Sequence, residues 1–164
     1  MGLHFQYEGW QPPALQLNGC YLLAIMAIPQ LYHHTFESPD SYLLSVAALV
    51  KYGEVNQDYS ITAETAPYVI MGLVSNAIGK PGYAGAEVGQ ITATGAEYWP
   101  SVKHPKHNYA IRFGRLANGT EHKVLCDWQL REIYNPAPGD EIVATERYLL
   151  YYYGTKQEIN AIYE

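Results

Sequence analysis

Only two cysteines, Cys20 and Cys126, occur in 164 residues, so no disulfide framework holds this chain together. Positive charge is equally scarce. Ten Lys and Arg stand against 16 Asp and Glu, a formal net charge of −6, which leaves no electrostatic footprint for DNA or RNA. The longest apolar run, Tyr21 to Ile28, is far too short to span a bilayer. The first residues, Met1-Gly2-Leu3-His4-Phe5-Gln6, lack the basic region and apolar core of a secretory signal, and Gly2 is followed by no Ser or Thr at position 6 to mark myristoylation. These absences predict a soluble, cytoplasmic protein without nucleic-acid or membrane partners, in a compartment where free thiols survive. They leave its oligomeric state open.

No Gly-Lys-Ser/Thr follows the glycines of 79–95, so they form no phosphate loop. No Cys-x-x-Cys exists, and Pro105 interrupts the spacing of His104 and His107. A zinc site drawn from these, His33, His34 and Cys20 is therefore not supported, and no metal or other cofactor is expected. What the chain has in excess is tyrosine: 16, against three Phe and three Trp. Tyrosine offers rigid area with a polar tip, suited to half-buried positions or to a partner surface.

The length fits one domain, 1–164. An extended lead-in containing Pro12-Pro13 reaches Asn18-Gly19, and Asn18 can cap a buried helix from Cys20 to Ile28, which Pro29 ends or kinks. Ser38-Pro39 opens a second helix with an apolar stripe of Leu43, Leu44, Val46, Ala47 and Val50, and Gly53 stops it. A polar stretch, Glu54 to Ile61, leads to a third helix capped by Thr62 or Thr65, with Pro67 in its first turn. Gly79, Gly82, Gly85, Gly89 and Gly95 predict a flexible segment that can serve as a substrate loop or lid. Beyond Thr92 the pattern is β: Tyr109, Ile111 and Phe113 alternate, Asn118-Gly119 makes a hairpin turn, and Val124 to Cys126 return. Ile133-Tyr134 and Tyr148 to Tyr153 supply further strands. Helices followed by an antiparallel sheet make an α+β fold.

One constellation carries chemistry. A thiol at a helix start is stabilised as thiolate by the helix dipole, and Cys20 holds that position. His107 begins an alternating strand and can act as base. The Asn118-Gly119 hairpin brings Asp127 close to His107, where a carboxylate can orient the imidazole. A buried core thiol and a structural histidine are the plainer readings of the same residues.

This order of parts, Gly19-Cys20 at a helix start, then His107 before a strand, then Asp127 closing the next, resembles the papain-like superfamily, including bacteriocin-processing peptidases and NlpC-type cell-wall enzymes. It is most similar to small uncharacterised papain-like proteins of spirochaete plasmids and prophages. These share a Gly-Cys-Tyr helix and a helix–Gly–strand–helix insert, here Tyr42 to Val74 with Lys51-Tyr52-Gly53-Glu54-Val55 and Asp58-Tyr59-Ser60-Ile61. The resemblance implies a papain-like fold and a thiol hydrolase that cleaves a peptide, isopeptide or amide bond in a peptide or peptidoglycan-like substrate. It also implies an oxyanion-hole glutamine, for which Gln16 stands nearer to the cysteine than the superfamily places it. Asn135, in Tyr134-Asn135-Pro136, is the alternative third member, although its distance from His107 calls for an additional strand. A catalytically inactive binding protein on the same scaffold, sequestering a protein partner or small ligand, is the competing reading.

Overall fold

The computed structural model describes residues 2–62, 66–94, 97–98 and 106–162. Among the described residues, five helices and a six-stranded antiparallel sheet follow in the order α1 (Pro13–Asn18), α2 (Cys20–His33), α3 (Pro39–Lys51), α4 (Ala66–Ala77), β1 (Tyr83–Thr92), β2 (Glu97–Tyr98), β3 (Tyr109–Arg115), β4 (Glu121–Asp127), β5 (Glu132–Tyr134), β6 (Ala144–Thr155) and α5 (Lys156–Ile162). The strand order is β2-β1-β6-β3-β4-β5, so the last strand enters between β1 and β3. The chain is α+β, with four helices preceding the sheet and one following it.

α2 is apolar nearly all round because it is covered on all sides. Leu22, Leu23, Ile25, Met26 and Ile28 are buried among Tyr42, Val46 and Leu49 of α3, Ile70, Met71 and Val74 of α4, and one sheet face carrying Ile111, Phe113, Leu125 and Tyr151. Full burial of each such aliphatic side chain stabilises the fold by about 1.5–3 kcal/mol. Strand alternation sends Ala110, Val124, Cys126 and Leu150 to the opposite face, where Ile159 and Ile162 of α5 cover them. Cys126 is thus a core thiol, separated by the sheet from α2.

Ser38 caps α3 as its sequence predicts, its hydroxyl accepting from the Ser41 amide. Several expectations change. Pro13–Asn18 of the lead-in is helical instead of extended, so Asn18 belongs to α1 and Gly19 stands at the cap position of α2. α2 runs through Pro29 to His33, where His34 closes it in the left-handed region. A proline inside a helix removes one N–H, and the adjoining Gln30 amide bonds the Met26 carbonyl at 3.0 Å. Glu54 to Ile61 holds a turn instead of the strand that the resemblance implies: Tyr59 takes φ 66°, the Asn56 amide meets the Ser60 carbonyl, and Asp58 accepts from the Ser60 amide.

The described part of 79–95 is not a lid. It is mostly β1, paired along its length with β6. At Gly85 a Cβ would collide with the Met71 side chain, so this glycine serves the close approach of α4 to the sheet. The cap positions before α4, residues 63–65, lie outside the described residues.

Candidate functional site

Gly19 makes the turn between α1 and α2, its amide bonded to the Leu15 carbonyl at 2.8 Å. A Cβ there would meet that same carbonyl oxygen and the Leu15 side chain, so only glycine allows the two helices to follow so closely. Cys20 is consequently the first residue of α2, with no side chain capping the helix start. Cys20 is 7% exposed, and its thiol rests against β4 at Lys123. Burial pushes the thiol above its ordinary pKa. The Lys123 ammonium, the Lys123 backbone N–H and the N–H groups of Tyr21 and Cys20 oppose that push without overcoming it. The helix start therefore does supply amides to sulfur, but the resting group is a thiol.

The hairpin has the register read from its turn, with Tyr109 opposite Asp127. What differs is the direction of α2 across it. At the N-terminal end of α2, Tyr21 meets the Phe113 ring edge-on at 5.3 Å, and Phe113 pairs with Lys123. At the other end, His33 Nε2 lies 2.9 Å from the Tyr153 hydroxyl, and Asn108 Nδ2 donates to the Tyr153 carbonyl at 2.8 Å. His107 thus belongs with the C-terminus of α2. Six strand residues, about 20 Å, separate it from the Phe113–Lys123 pair beside Cys20.

The structure therefore does not bring the expected set together. His107 Nε2 bonds the Trp128 carbonyl at 2.9 Å. Asp127 closes the β4–β5 turn: Oδ1 accepts from the amides of Gln129 and Arg131 at 2.9 and 3.0 Å, and Oδ2 pairs with Arg131 Nε at 3.0 Å. These bonds, the Arg131 amide first, hold its carboxyl below the usual carboxylate range. Gln16 gives its amide to the Gln11 carbonyl at 3.0 Å, and its own carbonyl accepts from Gln6 Nε2 at 2.7 Å. It is a tie within the lead-in. An oxyanion donor would instead stand free beside the thiol.

A histidine that sequence reasoning passed over lies on the face of β4 turned away from Cys20, with Val124 and Cys126. His122 precedes Lys123 on β4 and is buried, 4% exposed. Its Nε2 lies 2.8 Å from Asn135 Oδ1, just beyond β5. The Asn135 amide cannot be turned round, because Oδ1 also accepts from the Ala137 amide at 3.0 Å while Nδ2 donates to the Asp140 carbonyl at 2.9 Å. His122 must therefore carry its proton on Nε2, which leaves Nδ1 as the basic nitrogen of the neutral ring. The extra strand that Asn135 required is β5.

The loop from Asn135 to Asp140 is fastened to the lead-in. Gln6 N donates to the Pro136 carbonyl at 2.6 Å, and the Tyr7 hydroxyl donates to Asp140 Oδ2 at 2.6 Å. The Asp140 bond, with some burial, raises Tyr7 to about 12, and Tyr7 lies within electrostatic reach of Cys20. Alongside is an apolar pocket of about 360 Å³ lined by Leu3, Phe5, Leu31, Phe36, Ile133 and Pro138, and also touching Asn135.

Among the described residues no group of three or more His, Cys, Asp and Glu is placed to hold a metal ion, and no helix is long and apolar enough to cross a membrane. His104 lies outside the described residues. No protein-family description, curated protein or solved structure matches the chain.

Proposed function

We propose that this protein is a papain-like thiol hydrolase acting on a peptide, isopeptide or amide bond, with Cys20 as nucleophile. The observation that carries the reading is the set of groups directed at sulfur: Cys20 opens α2, the Lys123 ammonium acts on the thiol, and the backbone N–H groups of Lys123, Tyr21 and Cys20 meet it. His107 lies towards the far end of α2 and His122 on the other face of β4, so the thiol proton passes to water as sulfur attacks the carbonyl carbon, and the carbon–oxygen π pair moves to oxygen. Backbone N–H groups at the start of α2 stabilise that oxyanion. The leaving amine takes up a proton from solvent, and water then hydrolyses the thioester.

The burial of Cys20 favours a second reading, a binding protein in which the thiol is core and the site inert. Alkylation separates the two. In the first reading iodoacetamide modifies Cys20 in the folded chain, and Cys20→Ala abolishes hydrolysis of peptide or peptidoglycan-like substrates while thermal stability barely changes. A thiol that reacts only after unfolding supports the binding protein.

A further inference from the structure

Beside Cys20 the sheet carries a row of three residues on neighbouring strands. Register places Lys123 of β4 and Arg147 of β6 directly opposite Phe113 of β3, one on each side. Lys123 Nζ stands 5.3 Å from the Phe113 ring centre, and the Arg147 guanidinium carbon 4.7 Å from it. Phe113 is buried and cannot be reached itself. It acts as an apolar post that draws two cations inward over its faces, a contact worth about 0.5–1 kcal/mol at exposed sites. Tyr21, the residue after Cys20, packs edge-on against that ring at 5.3 Å, which ties the row to the first turn of α2. Glu121 pairs with Lys123 at 3.7 Å from the rim, and Glu87 acts electrostatically on the same Tyr21 as Arg147. In a chain of net charge −6, two cations still gather over one ring beside a candidate nucleophile.

We infer that the Lys123–Phe113–Arg147 row is a recognition site for a carboxylate, so that the hydrolase acts on a bond next to an acidic side chain or a free carboxyl terminus. This rests on the reading of Cys20 as nucleophile. The aromatic ring fixes the height of the cations above the sheet, and an incoming carboxylate replaces water at both without reorganising them. Lys123 is the nearer of the two to the thiol, and Arg147 extends the site away from it.

The test compares iodoacetate with iodoacetamide on the native chain. Both lose iodide to the Cys20 sulfur and form a thioether, but only iodoacetate brings a carboxylate, and the ratio of their rates cancels the fraction of thiolate. The ratio in the folded chain should exceed that in the urea-unfolded chain about fivefold at low salt, the effect of one cation near 4 Å in water, and should shrink at high salt. Lys123→Gln should return it to the unfolded value, Lys123→Arg should keep it, and Arg147→Gln should lower it about twofold. A folded ratio at or below the unfolded one overturns the carboxylate site even if Cys20 reacts readily. If neither reagent labels folded Cys20, the nucleophile reading fails, and the row is judged by NMR titration of the Cys20→Ala chain. There N-acetylalanine presents only a terminal carboxylate and N-acetylglutamate α-amide only a side-chain one. Saturable shifts at Lys123 and Arg147 with either probe, lost in Lys123→Gln, support the site and name the source; shifts with neither overturn it.

Discussion

His122 and Asn135 are joined by a single hydrogen bond of 2.8 Å whose polarity is set by the loop beyond it. The Ala137 amide and the Asp140 carbonyl orient the Asn135 side chain, so the ring donates and the amide oxygen accepts. Asn135→Asp keeps the acceptor and adds a charge. That charge strengthens the bond to the ring, so the His122 Nε2 proton should exchange more slowly by NMR. Asn135→Ala frees the ring and should cost about 1–3 kcal/mol of stability through the buried donor left without a partner, measured by urea unfolding. Unchanged exchange of that proton in Asn135→Asp would show that the pairing does not govern the ring.

Asp127 and His107 should prove separable from the thiol. Asp127→Ala and His107→Ala are expected to leave the Cys20 alkylation profile where it stands in the unaltered chain. Asp127→Ala should instead loosen the β4–β5 turn, seen as faster amide exchange at Gln129 and Arg131, both of which bond its carboxylate. Its carboxyl is held low in the folded state, so whatever it contributes to stability is present above the ordinary carboxylate range. That contribution is lost as pH falls through the folded value.

Much of this fold is written locally. The Ser38-Pro39 start of α3, the Asn118-Gly119 turn and the Tyr109–Asp127 register all follow from contacts between residues near in sequence, which short-range chemistry specifies. β1 was not legible, because its glycines signal turns unless one knows that α4 lies on them; that packing is a long-range fact. The candidate site failed for a related reason. A thiol at the start of α2 and a histidine at the start of β3 belong together only if the helix runs one way across the sheet, and nothing in either segment encodes that direction. α2 is apolar nearly all round, so its pattern names no preferred face. The direction is fixed by aromatic contacts at its two ends, Tyr21 on Phe113 and His33 on Tyr153 and Tyr83, between residues far apart in sequence.

The second of these ends can be tested alone. Ser75 donates to the Met71 carbonyl at 2.6 Å, so Tyr153, 2.6 Å from Ser75 Oγ, must donate to serine and accept from His33 Nε2. Burial, then Lys80, lowers the pKa of His33. Tyr153→Phe removes the hydroxyl from both bonds. It should destabilise the chain by about 1–3 kcal/mol in urea unfolding, while leaving the ratio of iodoacetate to iodoacetamide rates at Cys20 intact. A matching loss of that ratio would mean that the two ends of α2 are coupled.

The last prediction concerns Glu37, 2% exposed between α2 and α3. Its Oε2 accepts from the Ser41 and Ser45 hydroxyls at 2.8 and 2.9 Å, whereas its Oε1 is buried with no hydrogen-bond partner. Burial raises its pKa, and Ser41, Ser45 and His4 only partly offset that. The sign follows from proton binding. Between the ordinary carboxylate pKa and the raised folded value, the folded chain holds a proton that the unfolded chain has released, so stability falls as pH climbs through that window. Glu37→Gln cannot ionise and keeps an oxygen for the two serines. It should match the unaltered chain near pH 4 and exceed it at pH 8 by about 1 kcal/mol, the low end for a buried group without a partner. Urea unfolding at both pH values checks this. Equal slopes of stability against pH in the two chains would mean that Glu37 is ionised in the folded state without penalty, with His4 and the serine hydroxyls stabilising the charge as much as burial disfavours it.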